Sequence, residues 1–241
     1  MELTFRSVRQ DEDNVWGAIE TILQEAFDDS QYRPIAEFRP LFGDGRDLAE
    51  LGPPSVFGCF VGRELVAFAC IELCPAQNLV YLAYLATSSD WRNQGIGAAL
   101  IKYVQSIVTR EPSQGGPRVV GLLLECEAPR SMDLRSIEMR RIHFYTSLGF
   151  RVEPVDFMAP PLASRASEAS PYHILTWHVP GVDSSIDIAV AIDWICNGSV
   201  LNAPNNFAEE CARFSIETIG RDPKLAPEIR AQWGAFLETQ S

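Results

Sequence analysis

Trp91-Arg92-Asn93-Gln94-Gly95-Ile96-Gly97-Ala98-Ala99-Leu100 follows directly on the apolar run Leu79 to Ala86. The run reads as a strand, the glycine stretch as a loop, and Ile96 onward as a helix. A strand–loop–helix junction of this kind aims several backbone N–H groups at one point, where the helix dipole adds partial positive charge. Such a point holds phosphate or pyrophosphate. The glycines let the backbone approach the anion with no Cβ in between. Two common phosphate-binding patterns do not fit. The dinucleotide fingerprint needs a third glycine three residues after the second, and Leu100 stands there. The P-loop needs Gly-Lys-Ser/Thr, a tripeptide that the chain lacks.

What remains is Arg/Gln-x-x-Gly-x-Gly/Ala, met by Arg92, Gly95 and Gly97. This resembles the acyl-CoA-binding loop of the GNAT superfamily of N-acetyltransferases. A second stretch, Arg141-Ile142-His143-Phe144-Tyr145-Thr146-Ser147-Leu148-Gly149-Phe150, is similar to the end of that family's late helix, Phe-Tyr-x-x-x-Gly-Phe, through Phe144, Tyr145, Gly149 and Phe150. The two matches come in the family's order, with the strand-like Val119 to Glu127 between them. The resemblance covers residues 1–180. It implies an α/β (α+β) GNAT fold: a mixed, mostly antiparallel, splayed central sheet flanked by helices. Residues 181–241 exceed the usual core and read as a helical C-terminal extension, packing on the core or on a partner subunit.

Composition bounds the alternatives. The chain has 241 residues, 46% of them apolar, enough for one large domain or a domain with an extension. No apolar run approaches the ~18 residues of a membrane span, and Met1-Glu2-Leu3-Thr4-Phe5-Arg6 has no leader character. A cytoplasmic location and no membrane partner are expected. The six cysteines are scattered, without a Cys-x-x-Cys pair or ligand-like spacing to the three histidines. They read as buried free thiols, and no metal is expected. Net charge is -12, with 32 acidic against 20 basic residues, which disfavours nucleic acid. An acidic body suits a cationic acceptor, such as an amine or basic peptide, and equally serves solubility alone.

Patterning supplies the remaining elements. Leu3 to Val8 alternates as a strand. The acidic cluster Asp11 to Asn14 offers an N-cap for a helix from Val15 to Phe27. Residues 28–54 resist assignment; the resemblance implies a short helix and a loop beside the acceptor site. Ser55 to Val61 and Glu64 to Leu73 form a hairpin about Gly62-Arg63. Asn78 to Thr87 is a strand, Ile96 to Arg110 a helix, Pro112 to Pro117 a loop. Val119 to Cys126 is a strand fit for burial on both faces. Ile137 to Leu148 is a helix closed by Gly149, and Phe150 to Phe157 pairs with Tyr172 to His178 across a long loop. Pro180-Gly181 is the linker candidate; beyond it Asp187 to Cys196, Asn206 to Ile219 and Pro227 to Glu238 look helical.

N-acyl transfer from a thioester needs a neutral amine and a proton for the departing thiol. The resemblance implies Tyr145 as the acid near that sulfur; a phenol of ordinary pKa, about 10, stays protonated. Many family members carry a glutamate base on the strand before the glycine loop. Here Val80 to Thr87 holds no carboxylate. The next strand offers Glu125 and Glu127, on one face by period two, either serving an ammonium or satisfied by Arg130, Arg140 or Arg141. Glu72 is a third candidate, and ordered water could carry the proton instead. The resemblance further implies that Leu85, Ala86 and Thr87 bind the pantetheine arm through their backbone. It places Arg92, Gln94, Gly95, Ile96, Gly97 and Ala98 around the pyrophosphate, and Phe144 against the pantetheine or in the core. By parity with Leu82 and Ala83, Tyr81 and Tyr84 fall on opposite faces, so at most one meets the acceptor.

The expected activity is transfer of an acetyl or longer acyl group from acyl-CoA to a primary amine of a small molecule, amino acid or peptide, in a ternary complex. Two alternatives stay open: a non-catalytic acyl-CoA-binding sensor or scaffold, and an acyltransferase fed by an acyl carrier protein. A monomer or a homodimer is compatible with the sequence.

Overall fold

The computed structural model describes residues 1–28, 31–42, 54–110, 118–129, 133, 135–159, 170–182, 185–199 and 201. Seven strands form one sheet: β1 (Leu3–Ser7), β2 (Ser55–Val61), β3 (Glu64–Cys74), β4 (Leu79–Thr87), β5 (Gly121–Glu127), β6 (Arg151–Ala159) and β7 (Ser170–His178). Their spatial order is β1-β2-β3-β4-β5-β7-β6. All neighbours run antiparallel except β4 and β5, which are parallel. The helices are α1 (Asp13–Ala26), the short α2 (Ile35–Phe38), α3 (Ile96–Val108), α4 (Ile137–Thr146) and α5 (Ile188–Asn197). The expected loop at 112–117, most of the long loop before β7, and the segments Asn206 to Ile219 and Pro227 to Glu238 lie outside the described residues.

Helix faces explain the layering. In α3 the buried residues are Ile96, Leu100, Ile101, Val104, Ile107 and Val108, one stripe at helical spacing. They pack on Ala67, Ala69, Ile71, Val80, Leu82, Leu122 and Leu124, together with Ile142 of α4. On the opposite face, Trp16, Ile19, Ile22 and Leu23 of α1 join Phe38 and Phe42 over Val56, Phe60, Phe68, Cys70, Tyr84 and Ala86. Further along that face, Ala191, Ile192, Ile195 and Cys196 of α5 cover Cys74, Leu79, Tyr81, Leu123 and Ile174. The first turn of α1 is not capped as its acidic cluster suggests. Glu12 stands at the cap, but its carboxylate accepts from Arg6 and from the Arg9 N–H rather than from the helix. Gly149 closes α4 as expected, at φ +87°.

Two irregularities of β4 shape everything that follows. Against β3 the register runs Cys70↔Tyr84 and then Ile71↔Leu82, so Ala83 is an extra residue: a β-bulge. Against β5 the ladder holds only at Leu79↔Gly121, Val80↔Leu122 and Tyr81↔Leu123. Beyond that point the strands part. Leu82 to Thr87 of β4 and Leu124 to Glu127 of β5 face an opening with no paired strand between them among the described residues. β5 keeps its other neighbour throughout, from Gly121↔His178 to Glu127↔Tyr172.

Candidate active site

The opening has two walls. One begins where β4 ends. A short helical turn, Ser89–Trp91, leads into the loop, where Asn93 (φ 62°) and Gly95 (φ 79°) both take the left-handed conformation. Asparagine and glycine are the residues that tolerate it best. Gly95 stands at the cap of α3 with no side chain to occupy the helix end, and the first helical bond runs from the Ala99 N–H to the Gly95 carbonyl. The N–H groups of Ile96, Gly97 and Ala98 therefore have no acceptor within the helix. Gly97 lies beside the end of β4 and α4: a Cβ there would stand 3.4 Å from Thr87 Oγ1 and 3.5 Å from the Phe144 ring. A methyl fits; a longer side chain would have to enter the space in front of the helix or displace Phe144.

Arg92 proves to be a brace. Its Nε donates to the Thr87 carbonyl at 3.1 Å and its Nη2 to the Glu25 carbonyl at 3.0 Å, tying the loop to β4 and α1. Gln94 is exposed and donates to the Asp90 carbonyl at 3.2 Å. Leu85, Ala86 and Thr87 pair with Ala69, Phe68 and Ala67 on one edge only, leaving their other edge toward the opening. Tyr145, on α4, packs between Phe144 at 5.0 Å and Phe150 at 5.6 Å between ring centroids. Burial pushes its hydroxyl well above the ordinary phenol range. The Cys126 thiol adds to this and Arg141 opposes it.

The second wall is the sheet face under α1, α2 and α5. The bulge at Ala83 corrects the parity expected from the sequence. Tyr81 packs with the α5 cluster and Tyr84 with the α1 cluster, so both tyrosines share this face. Period two holds only while no residue is inserted, and one extra residue restores Tyr84 to the side that alternation denies it.

Glu125 and Glu127 also share this face, as expected, but their surroundings differ. Glu127 accepts from Arg141 Nη1 at 2.6 Å and from Gln31 Nε2 at 2.7 Å. Glu125 has one oxygen, Oε1, that is buried without a hydrogen-bond partner among the described residues. Desolvation raises its carboxyl to about 8, with a hydrogen bond from Tyr81 opposing the rise. Glu72 is buried on β3 and its Oε2 accepts from Ser199 Oγ at 2.7 Å and the Leu201 N–H at 3.3 Å. The chain beyond α5 thus returns to the same face.

The sequence reading missed Arg33, which lies in the stretch that resisted assignment. It is buried, its Nη2 meets no hydrogen-bond partner among the described residues, and it sits in the electrostatic range of Tyr84, Glu37 and Glu72. No periodicity marks it; the one available signal is a lone arginine between Tyr32 and Pro34. The five described cysteines are buried and in no disulfide, and burial pushes up the thiols of Cys59, to about 11, and of Cys70, Cys74 and Cys126. No cluster of three metal-ligating side chains occurs among the described residues. None of the described helices is long and apolar enough to cross a membrane.

Comparison with known proteins places this architecture. A family profile described as Acetyltransferase (GNAT) domain matches residues 55–152. No curated protein matches the chain by sequence. Among solved structures, the ribosomal-protein-S18-alanine N-acetyltransferase from Escherichia coli is similar at 20% identity and a TM-score of 0.53, over 77% of this chain and 99% of that one. NAA60 of Arabidopsis thaliana, in complex with a bisubstrate analogue, is similar at 18% identity and a TM-score of 0.55, over 75% and 100%. Ard1 from Thermoplasma volcanium follows at 18% and 0.52, over 74% and 99%. The chain has the GNAT fold.

Proposed function

We propose that this protein is an N-acyltransferase that moves an acetyl or longer acyl group from acyl-CoA directly to a primary amine, with both substrates bound at once. One observation carries the reading: the parting of β4 from β5 lies beside a helix N-terminus whose first N–H groups have no acceptor among the described residues. An open strand edge offers hydrogen bonds to an amide-bearing arm, and the helix end offers them to a pyrophosphate. Few ligands other than a pantetheine nucleotide need both in sequence.

The residues divide the work accordingly. The N–H groups of Gly95, Ile96, Gly97 and Ala98 would hold the pyrophosphate, with Gln94 at its rim and Arg92 fixing the loop from behind. Leu85, Ala86 and Thr87 would hold the pantetheine amides, and Phe144 would cover them. Acyl-CoA supplies, when bound, the thioester that activates the acyl group. Glu125 would take the proton of the acceptor ammonium, directly or through water; its raised pKa brings it nearer to that of an amine than an ordinary carboxylate comes. Tyr145, protonated throughout the physiological range, would keep a proton for the departing sulfur. Glu127, paired with Arg141, would set the position of β5 against α4.

Calorimetric titration of the protein with CoA, acetyl-CoA and longer acyl-CoAs tests the first half of this. Binding with 1:1 stoichiometry is expected, and Tyr145→Phe should keep that affinity while lowering turnover about 10- to 100-fold. An absence of binding to any of the thioesters would remove the acyl-CoA reading. Full turnover in Tyr145→Phe would remove Tyr145 as the acid.

A further inference from the structure

Three buried side-chain atoms have no hydrogen-bond partner among the described residues: Arg33 Nη2, the Tyr84 hydroxyl and Glu125 Oε1. They come from distant parts of the chain, yet they are neighbours. Tyr84 lies within electrostatic range of both Arg33 and Glu125. Arg33 is 6% exposed and Tyr84 4%, so bulk water does not satisfy them. Buried polar groups are ordinarily paired, and three neighbouring atoms without a partner among the described residues are what a bound ligand would satisfy.

The chemistry of the three atoms is not uniform. Arg33 offers a guanidinium N–H and Tyr84 an O–H, both donors; a guanidinium is planar and suited to a carboxylate. Glu125, when ionised, offers only an acceptor. Tyr84 lies within electrostatic range of both, and its ring packs on Phe38 of α2, the helix that follows Arg33. The face therefore presents two donors, from Arg33 and Tyr84, and one carboxylate, from Glu125. Glu72 and Glu37 are within electrostatic range of Arg33; one Glu72 oxygen is engaged by Ser199 and Leu201.

Resting on the acyltransferase reading above, we infer that the acceptor is a free amino acid, its carboxylate held by Arg33 and Tyr84 and its amine presented to Glu125. A polyamine would set a second cation against Arg33. A peptide N-terminus would bring a neutral amide to Arg33 Nη2, a weaker acceptor for a guanidinium than a carboxylate. The overall acidity of the chain, which on its own suggests a cationic acceptor, is overruled locally by one buried arginine.

The test uses the full chain with the twenty free amino acids, their carboxamides and the corresponding decarboxylated amines. Binding is read by calorimetry with CoA present and absent, and acetyl transfer is read from acetyl-CoA. At least one free acid should bind and react, with its carboxamide weaker by more than about 10-fold, the loss of a hydrogen-bonded charge pair. Arg33→Gln should erase that preference. Tyr84→Phe removes a hydroxyl that meets no partner among the described residues, so it should fold as wild type and shrink the preference by about 3-fold or more. Carboxamides or simple amines serving as well as the acids, or no free acid binding, would overturn the inference. Failure of acyl-CoA to bind would sink the acyltransferase reading; acid binding that persisted there would leave the amino-acid site standing without it.

Discussion

The two walls of the opening are made of different material. The wall by α3 is main chain: the N–H groups of Ile96, Gly97 and Ala98, the free edge of Leu85 to Thr87, and a loop held by Arg92. The wall under α1 is side chain: Arg33, Tyr84, Glu125 and their neighbours, drawn from a loop and two strands. A main-chain wall can be built from almost any residues, provided that none intrudes. A side-chain wall depends on identity and on which face each residue takes. The first therefore tolerates drift everywhere except at its glycines, while the second can be changed by a single substitution or a single shift of register.

The sharpest way to break this contrast is at Gly97. Gly97→Leu should reduce acyl-CoA affinity by more than about 100-fold, since its side chain enters the anion cradle and displaces several hydrogen bonds to charge. Gly97→Ala, whose Cβ rests at ordinary contact distance from Thr87 and Phe144, should keep most of the affinity. Equal binding by all three proteins in calorimetry would mean that the main-chain wall does not hold the pyrophosphate.

Glu125→Gln comes next and acts on the other wall. Turnover should fall about 10²- to 10³-fold while acyl-CoA affinity stays as in wild type. The wild-type rate should rise with pH through about 8, the value to which burial lifts this carboxyl, and that limb should vanish in the variant. Stability should move the opposite way. A raised pKa means that the native state holds this proton more tightly than the unfolded chain. The stabilisation is complete below 4.5 and is lost as pH rises through about 8. Glutamine keeps the neutral form, so above pH 8 the variant should unfold at a higher denaturant concentration than wild type. A variant less stable there would contradict the burial argument.

The smallest effect belongs to Glu127, two residues away. Its partners Arg141 and Gln31 are already in the protein. Glu127→Gln should cost about 0.5–1 kcal/mol, as a part-exposed ion pair does, measurable by chemical denaturation. Its pH–rate profile should keep the wild-type shape. A loss of turnover matching that of Glu125→Gln would merge the two carboxylates into one functional pair.

This contrast also explains what could be read from the residues alone. The main-chain wall was legible because glycine writes backbone geometry into the sequence: Gly95 and Gly97 mark the cradle, Gly149 the end of α4. The strands and their order of burial were legible from alternation and apolar runs, with β2 coinciding at both ends with its expected span. The side-chain wall was not. Parity assigned Tyr81 and Tyr84 to opposite faces because nothing in Leu82-Ala83-Tyr84 announces a bulge. Glu125 and Glu127 were found together, but that Glu127 is already engaged was out of sight, since Gln31, which helps to engage it, is ninety-six residues away. Arg33 lay in a stretch without a period, and burial alone distinguishes it.

Ala83 carries a consequence of another kind. In β4 it acts as a phase marker, dividing one strand into two halves that are out of step by a residue. The number of residues between Tyr81 and Tyr84 therefore has to match the bulge: two with it, or one without it, put both rings on one face. Removing Ala83 would remove the bulge with it and set Tyr84 two residues after Tyr81, on the same face by plain alternation, so the shorter strand would keep the middle group beside Arg33 and Glu125. Spacing and bulge are inherited together: a strand that kept both residues between the tyrosines but lost the bulge would turn Tyr84 toward α3.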